Sequence, residues 1–144
     1  LAGLAEDFPL ALSRGQRLRV AVAAVLACRP AVLLLDEPTT GQDFAHIGDI
    51  ARQARDFARR GGVVVFCTHD AEVAAAFASR VIIMARGRVL ADGPPRAVFA
   101  EAGLLAAAGV RQPPVAVIGQ GVAGRIALSV EEVVDYVHQA NLGS

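Results

Sequence analysis

The sequence predicts an α/β fold in which a mostly parallel sheet is flanked by helices, and three observations carry that expectation. Two short apolar runs, at 31–35 and Val63–Cys67, lack polar alternation, as do strands buried on both faces of a parallel sheet. Around them lie stretches with helical periodicity, so strand and helix alternate along the chain. Adjacent carboxylates, Asp36 and Glu37, follow the first run directly. In such sheets ligands bind beyond the carboxyl ends of the strands.

Ser13 is placed to cap a helix over 14–28, whose Val20, Ala21, Ala24, Val25 and Ala27 give a small apolar surface and which Pro30 ends. The first strand, at 31–35, leads into a turn holding Pro38 and Gly41. A helix over 45–60 then sets Ile47, Ile50, Ala51, Ala54, Phe57 and Ala58 along one stripe, with arginines and aspartates outward. Gly61 and Gly62 stop it. The second strand ends at Thr68-His69-Asp70, where Thr68 or Asp70 can cap a helix reaching 78, and a third strand follows at 81–84. The order strand, helix, strand, helix, strand predicts right-handed crossovers. Arg86 and Gly87 form a tight turn into 89–91, an antiparallel hairpin at a sheet edge.

Pro94 and Pro95 introduce a short helix over 96–101, and another is expected over 103–108. Pro113 and Pro114 then break the chain, and Gly119, Gly121 and Gly124 predict a loose loop. Those glycines lack the strand-turn-helix context of a dinucleotide fingerprint. Ser129 and Glu132 make a capping box for a last helix over 130–140, whose Val130, Val133, Val134 and Val137 require a surface to pack on.

The 144 residues are 54% hydrophobic with a mean hydropathy of +0.46, enough for one ordinary domain with a core. All fourteen basic residues are arginines, and formal net charge is zero, so no nucleic acid partner is expected. Cys28 and Cys67 lie far apart among apolar neighbours and read as buried, reduced thiols, not as a disulfide or zinc framework. No apolar stretch reaches the ~18 residues a membrane span needs. The first residues show no signal-peptide pattern and no starting Met, so the sequence reads as a fragment or a chain whose beginning is missing.

Consecutive carboxylates at a strand end suit a division of labour. One can hold a hydrated magnesium ion while the next takes a proton from an attacking water, as phosphoryl transfer requires; the competing reading is that both cap the following turn. His69 ends the neighbouring strand and can donate to a phosphoryl group. Leu12-Ser13-Arg14-Gly15-Gln16 stands just before a helix, where a hydroxyl and free N–H groups serve an anion as readily as a plain cap. Arg17 and Arg19 are open to a solvated-surface reading. His46 and His138 fall on amphipathic helices and read as exposed.

Together these segments resemble the second half of the ATP-binding cassette ATPase domain, a P-loop NTPase-like fold. Leu12-Ser13-Arg14-Gly15-Gln16 resembles the signature motif, Val32 through Glu37 the Walker B strand with its glutamate, Gly41-Gln42-Asp43 the D-loop, and His69 the switch histidine. The resemblance implies that Asp36 helps hold Mg2+, Glu37 polarises the attacking water, and His69 contacts the terminal phosphate of ATP. It further implies that Asp43 communicates across a dimer interface, while Ser13, Gly15 and Gln16 touch nucleotide held mainly by a second ATPase subunit, identical or not, in a head-to-tail pair.

The phrase from Glu37 to Asp43 is similar to that of energy-coupling-factor and cobalt-type importers, and Arg111-Gln-Pro-Pro-Val115 looks like the region after their ATPase core. On that resemblance, 1–110 is the C-terminal portion of the cassette domain and 111–144 an extension with a terminal helix. The expected setting is the cytoplasmic face of a membrane, bound to transmembrane transporter subunits that import a vitamin or metal ion. A cassette ATPase of DNA repair or translation, and an exporter ATPase, are the alternatives. A Walker A loop, G-x-x-x-x-G-K-[ST], is missing from these residues, which contain no lysine. The chain alone is therefore expected to be inactive.

Overall fold

The computed structural model describes residue 8, residues 11–40 and residues 44–142. The chain divides into two compact units, Leu1–Thr68 and His69–Ser144. In the first, helix α1 (Arg14–Ala27) precedes strand β1 (Val32–Asp36), helix α2 (Phe44–Arg59) and strand β2 (Val63–Cys67). The two strands pair in parallel, Val32 opposite Val63 and Asp36 opposite Cys67, as the alternation of strand and helix requires. Gly61 takes φ +90°, and a Cβ on Gly62 would collide with the buried Phe57 ring, so the pair of glycines does more than end α2.

Among the described residues, only one face of this strand pair is covered. Leu33 is buried and Leu35 half-buried against Leu18, Val22 and Leu26 of α1 and Ile50 and Ala54 of α2, around a gap of about 20 Å3. Alternation puts Val32, Leu34, Val63 and Val65 on the opposite face, where they are 45–68% exposed. The expectation of burial on both faces is thus corrected: among the described residues of this unit, helices cover one side. The cysteine reading changes with it. Cys67 is exposed, on the same side of its strand as Val63 and Val65, and Cys28 is exposed at the C-cap of α1, its thiol donating to the Ala24 carbonyl at 3.7 Å.

The second unit begins with helix α3 (Ala71–Phe77) and continues through strands β3 (Val81–Ala85) and β4 (Arg88–Gly93) to helices α4 (Pro95–Ala100), α5 (Ala102–Ala108), α6 (Pro114–Ala123) and α7 (Val130–Leu142). β3 and β4 form the expected antiparallel hairpin; Arg86 (φ 51°) and Gly87 (φ 72°) both adopt the left-handed conformation of a mirror-image turn. Parallel pairing among the described residues is therefore confined to β1 and β2. Arg80 closes the hairpin base through a bidentate fork onto Asp92 at 2.7 and 2.8 Å. Ala75, Val81, Ile83, Val98, Phe99, Leu105, Ala116 and Ile126 form the core, so α3, the hairpin, α4, α5 and α6 share one interior.

The glycine-rich loop expected after Pro114 is instead helix α6. Pro114 starts it at a position where no N–H is required, and Gly124, at φ 66°, ends it. Gly119 is needed because a Cβ there would lie 2.7 Å from the Ala127 Cβ and 2.8 Å from the Arg125 carbonyl. Arg96 of α4 then ties down the last helix. Its guanidinium donates to both Glu132 carboxylate oxygens (2.9 and 3.1 Å), to the Ile126 carbonyl and to the Tyr136 hydroxyl at 3.2 Å. No helix of the described residues is long and apolar enough to cross a membrane.

Candidate functional site

β1 ends at Asp36, whose exposed carboxylate follows Val32 and Leu34 on the uncovered face. Glu37 then turns the chain out of the strand with φ +46°, a left-handed conformation costing about 1–3 kcal/mol for a non-glycine residue. Its own N–H still donates to the Cys67 carbonyl at 2.8 Å, and its carbonyl accepts from Thr40 N–H at 3.2 Å. Its side chain therefore leaves the alternation that Asp36 obeys. The Oε2 atom accepts hydroxyl hydrogen bonds from Thr40 at 3.1 Å and Thr68 at 3.4 Å. Thr68 is the residue just beyond β2, so the ends of both parallel strands hold this carboxylate.

Asp36 is exposed and Glu37 half-buried at this strand end, and Glu37 is held by two residues that sequence reasoning does not assign to the site. Thr40 and Thr68 are hydroxyls just beyond a carboxylate-bearing strand and its neighbour. That pattern is a usable signal, but their convergence depends on the turn at Glu37.

At α1, Ser13 is the N-cap. Its Oγ accepts from Gln16 N–H at 3.2 Å, and its own N–H donates to Gln16 Oε1 at 2.7 Å. Ser13 is thus the cap expected, and the Ser-x-x-Gln spacing is the signal of its reciprocal bond with Gln16. Gly15 is half-buried beside it. Arg17 is exposed, as a surface reading expects, and its Nη1 donates to the Leu12 carbonyl at 3.0 Å, bracing the loop entering the helix. Arg19 is half-buried. Asp43 lies outside the described residues.

His69 opens the second unit and is exposed. Asp70, not Thr68, caps α3, its Oδ1 accepting from Glu72 and Val73 N–H groups at 3.0 and 3.2 Å. His69 lines a cavity of about 300 Å3 with Asp70, Ala71, Glu72, Arg111, Gln112, Pro113 and Pro114. His138 is exposed on α7, as expected. Among the described residues no cluster of His, Cys, Asp and Glu is arranged to hold a metal by itself.

The family described as "ABC transporter" matches residues 3–40, a span that includes both the Ser13 cap and the Asp36-Glu37 turn. A protein of Methanosarcina mazei bearing the name of an ABC transporter ATP-binding protein is 46% identical over 136 residues, 94% of this chain and 22% of its own length. The chain belongs to the ABC transporter ATP-binding family. Within that family, it is 47% identical over 102 residues to the cobalt import ATP-binding protein CbiO of Rhodobacter capsulatus, matching 71% of this chain and 36% of the relative. The solved structure of cbiO1 from Clostridium perfringens, described as part of the ABC transporter complex cbiONQ, superposes with a TM-score of 0.63 at 34% identity, over 78% of this chain and 45% of that one. The chain therefore spans about a fifth to a third of the length of these curated ABC relatives.

Proposed function

We propose that this chain is the C-terminal portion of an ABC ATPase, residues 1–110 in the cassette and 111–144 an extension, whose complete protein hydrolyses ATP to drive import of a vitamin or metal ion. The observation that carries the reading is the Glu37 carboxylate, turned out of β1 and held by Thr40 and Thr68. A carboxylate fixed at the end of a parallel strand pair is suited to orient a water and accept its proton. Asp36 fits a magnesium ion, which takes oxygen ligands and keeps much of its water, because its carboxylate is exposed at the same strand end. Bound Mg2+ would supply charge neutralisation for the phosphates.

The other assignments follow the family resemblance. Ser13, Gly15 and Gln16 offer a hydroxyl and the first turn of α1 to the nucleotide of a second ATPase subunit. His69 donates to the terminal phosphate, and Asp43 belongs to the contact between subunits. The likeness to cobalt import CbiO supports an importer, with transmembrane subunits as partners and the inner membrane face as location.

The test is Glu37→Gln in the complete protein. Nucleotide binding is expected to persist while turnover falls by about 10²–10⁴-fold, the contribution of a positioned general base. Turnover at the wild-type rate would remove Glu37 from the role of base.

A further inference from the structure

We propose that α7 is a latched strap, which opens away from the second unit as one piece while the core beneath it stays closed, with the contact between Arg96 and Glu132 as its latch. The device is independent of the roles given to Glu37 and His69.

The anchored part of the chain ends just before α7. Ala116 of α6 and Ile126 belong to the core, and Ala127 is fully buried. Beyond Ser129 that changes. α7 lies against α6, yet among its described side chains Tyr136 is the one that is buried. Val130, Val134 and Val137, which by their spacing require a surface to pack on, are 37–63% exposed. Apolar burial therefore contributes little to holding this helix down, and weakly buried elements are the ones that open by themselves.

Polar contacts gather instead on one turn. Glu132 and Tyr136 stand four residues apart, on one face of α7. Arg96 donates to both Glu132 oxygens at 2.9 and 3.1 Å and to the Tyr136 hydroxyl at 3.2 Å, while its bond to the Ile126 carbonyl keeps the guanidinium on the anchored side. Arg125 stands over the Tyr136 ring, 4.5 Å from its centre. Glu132 Oε2 also accepts from Leu128 N–H at 3.0 Å, so one carboxylate holds both the helix and the link that leads into it. Arg96 and Glu132 are partly exposed, water competes for both, and the latch is reversible. Opening it turns α7 about the link at 128–129 and leaves Ala75, Phe99, Ala116 and Ile126 packed.

The experiment is amide hydrogen exchange of the complete protein, read by mass spectrometry over α6 and α7 for the wild type, Glu132→Gln and Asp92→Asn. The last variant removes the fork from Arg80, an ion pair of the same unit that lies outside the latch. In the wild type α7 should exchange at least about tenfold faster than α6. Glu132→Gln should speed α7 a further three- to tenfold, roughly the effect of losing a partly exposed ion pair. Asp92→Asn should leave α7 unchanged, because the hairpin is intact in the latched and the opened form alike. Equal protection of α7 and α6 in the wild type would overturn the proposal, since the two helices would then open together. So would an α7 rate that Glu132→Gln does not raise, which would remove the latch. Acceleration of α7 by Asp92→Asn as large as that by Glu132→Gln would show that the helix opens only with the whole unit, and would overturn the proposal equally.

Discussion

Glu37 shows how one backbone angle redirects a carboxylate. Had it continued the strand, it would have pointed away from Asp36 by simple alternation. At φ +46° it meets two threonine hydroxyls instead, one local and one 31 residues away. Each hydroxyl donates to a charged acceptor, an interaction worth about 1.5–3 kcal/mol when fully formed and less where solvent competes. Thr68→Val in the complete protein is therefore expected to reduce kcat about three- to tenfold, with KM for ATP little changed. Thr40→Val added to it should cost less than a second independent loss, because both hydroxyls act on one oxygen; steady-state kinetics of the single and double variants measures this. The adjacent carboxylates were legible because two charges directly after an apolar run must emerge where the strand leaves the interior. The threonines were not, since no residue pattern states that a glutamate will adopt a left-handed conformation.

At the scale of elements, the last two helices depend on a glycine and an ion pair. Low helix propensity makes Gly119, Gly121 and Gly124 look like a loop, and packing overrides it: Gly119 is where Ala127 and the Arg125 carbonyl approach α6. The Ser129 cap on α7 was legible and is present, with Glu132 N–H donating to Ser129 Oγ at 3.3 Å. The Glu132 carboxylate, however, turns to the Leu128 N–H at 3.0 Å and to Arg96. Hydrogen bonding to Arg96 is the main cause holding the Glu132 carboxyl below its ordinary value. A lowered folded value means that this stabilisation is complete above the unfolded value and is lost as pH falls through the folded one. Glu132→Gln should cost on the order of 1 kcal/mol at neutral pH, the scale of a partly exposed charge-assisted pair, and much less in acid. Thermal melts of both proteins at neutral and acidic pH would show their difference shrinking.

For the whole molecule, the sequence carried the alternation of strand and helix, the parallel pair and the hairpin, because each is written in local periodicity and turn residues. It did not carry which faces are covered. An unbroken apolar run is compatible with helices on both sides of a strand, but cover is supplied by whatever lies opposite, and no periodicity within the strand reports that. Catalysis belongs to this scale too. Without a lysine in its 144 residues, the chain is expected to bind ATP very weakly and to show no turnover; robust hydrolysis by the purified polypeptide, followed by phosphate release, would overturn that expectation.

The row of Val32, Leu34, Val63 and Val65 gives the first unit the character of a surfactant: one side of its strand pair is wetted with difficulty. The purified polypeptide should accordingly brighten a hydrophobic dye and scatter more light as its concentration rises, and Leu34→Thr with Val65→Thr should diminish both signals while leaving the far-ultraviolet dichroism intact.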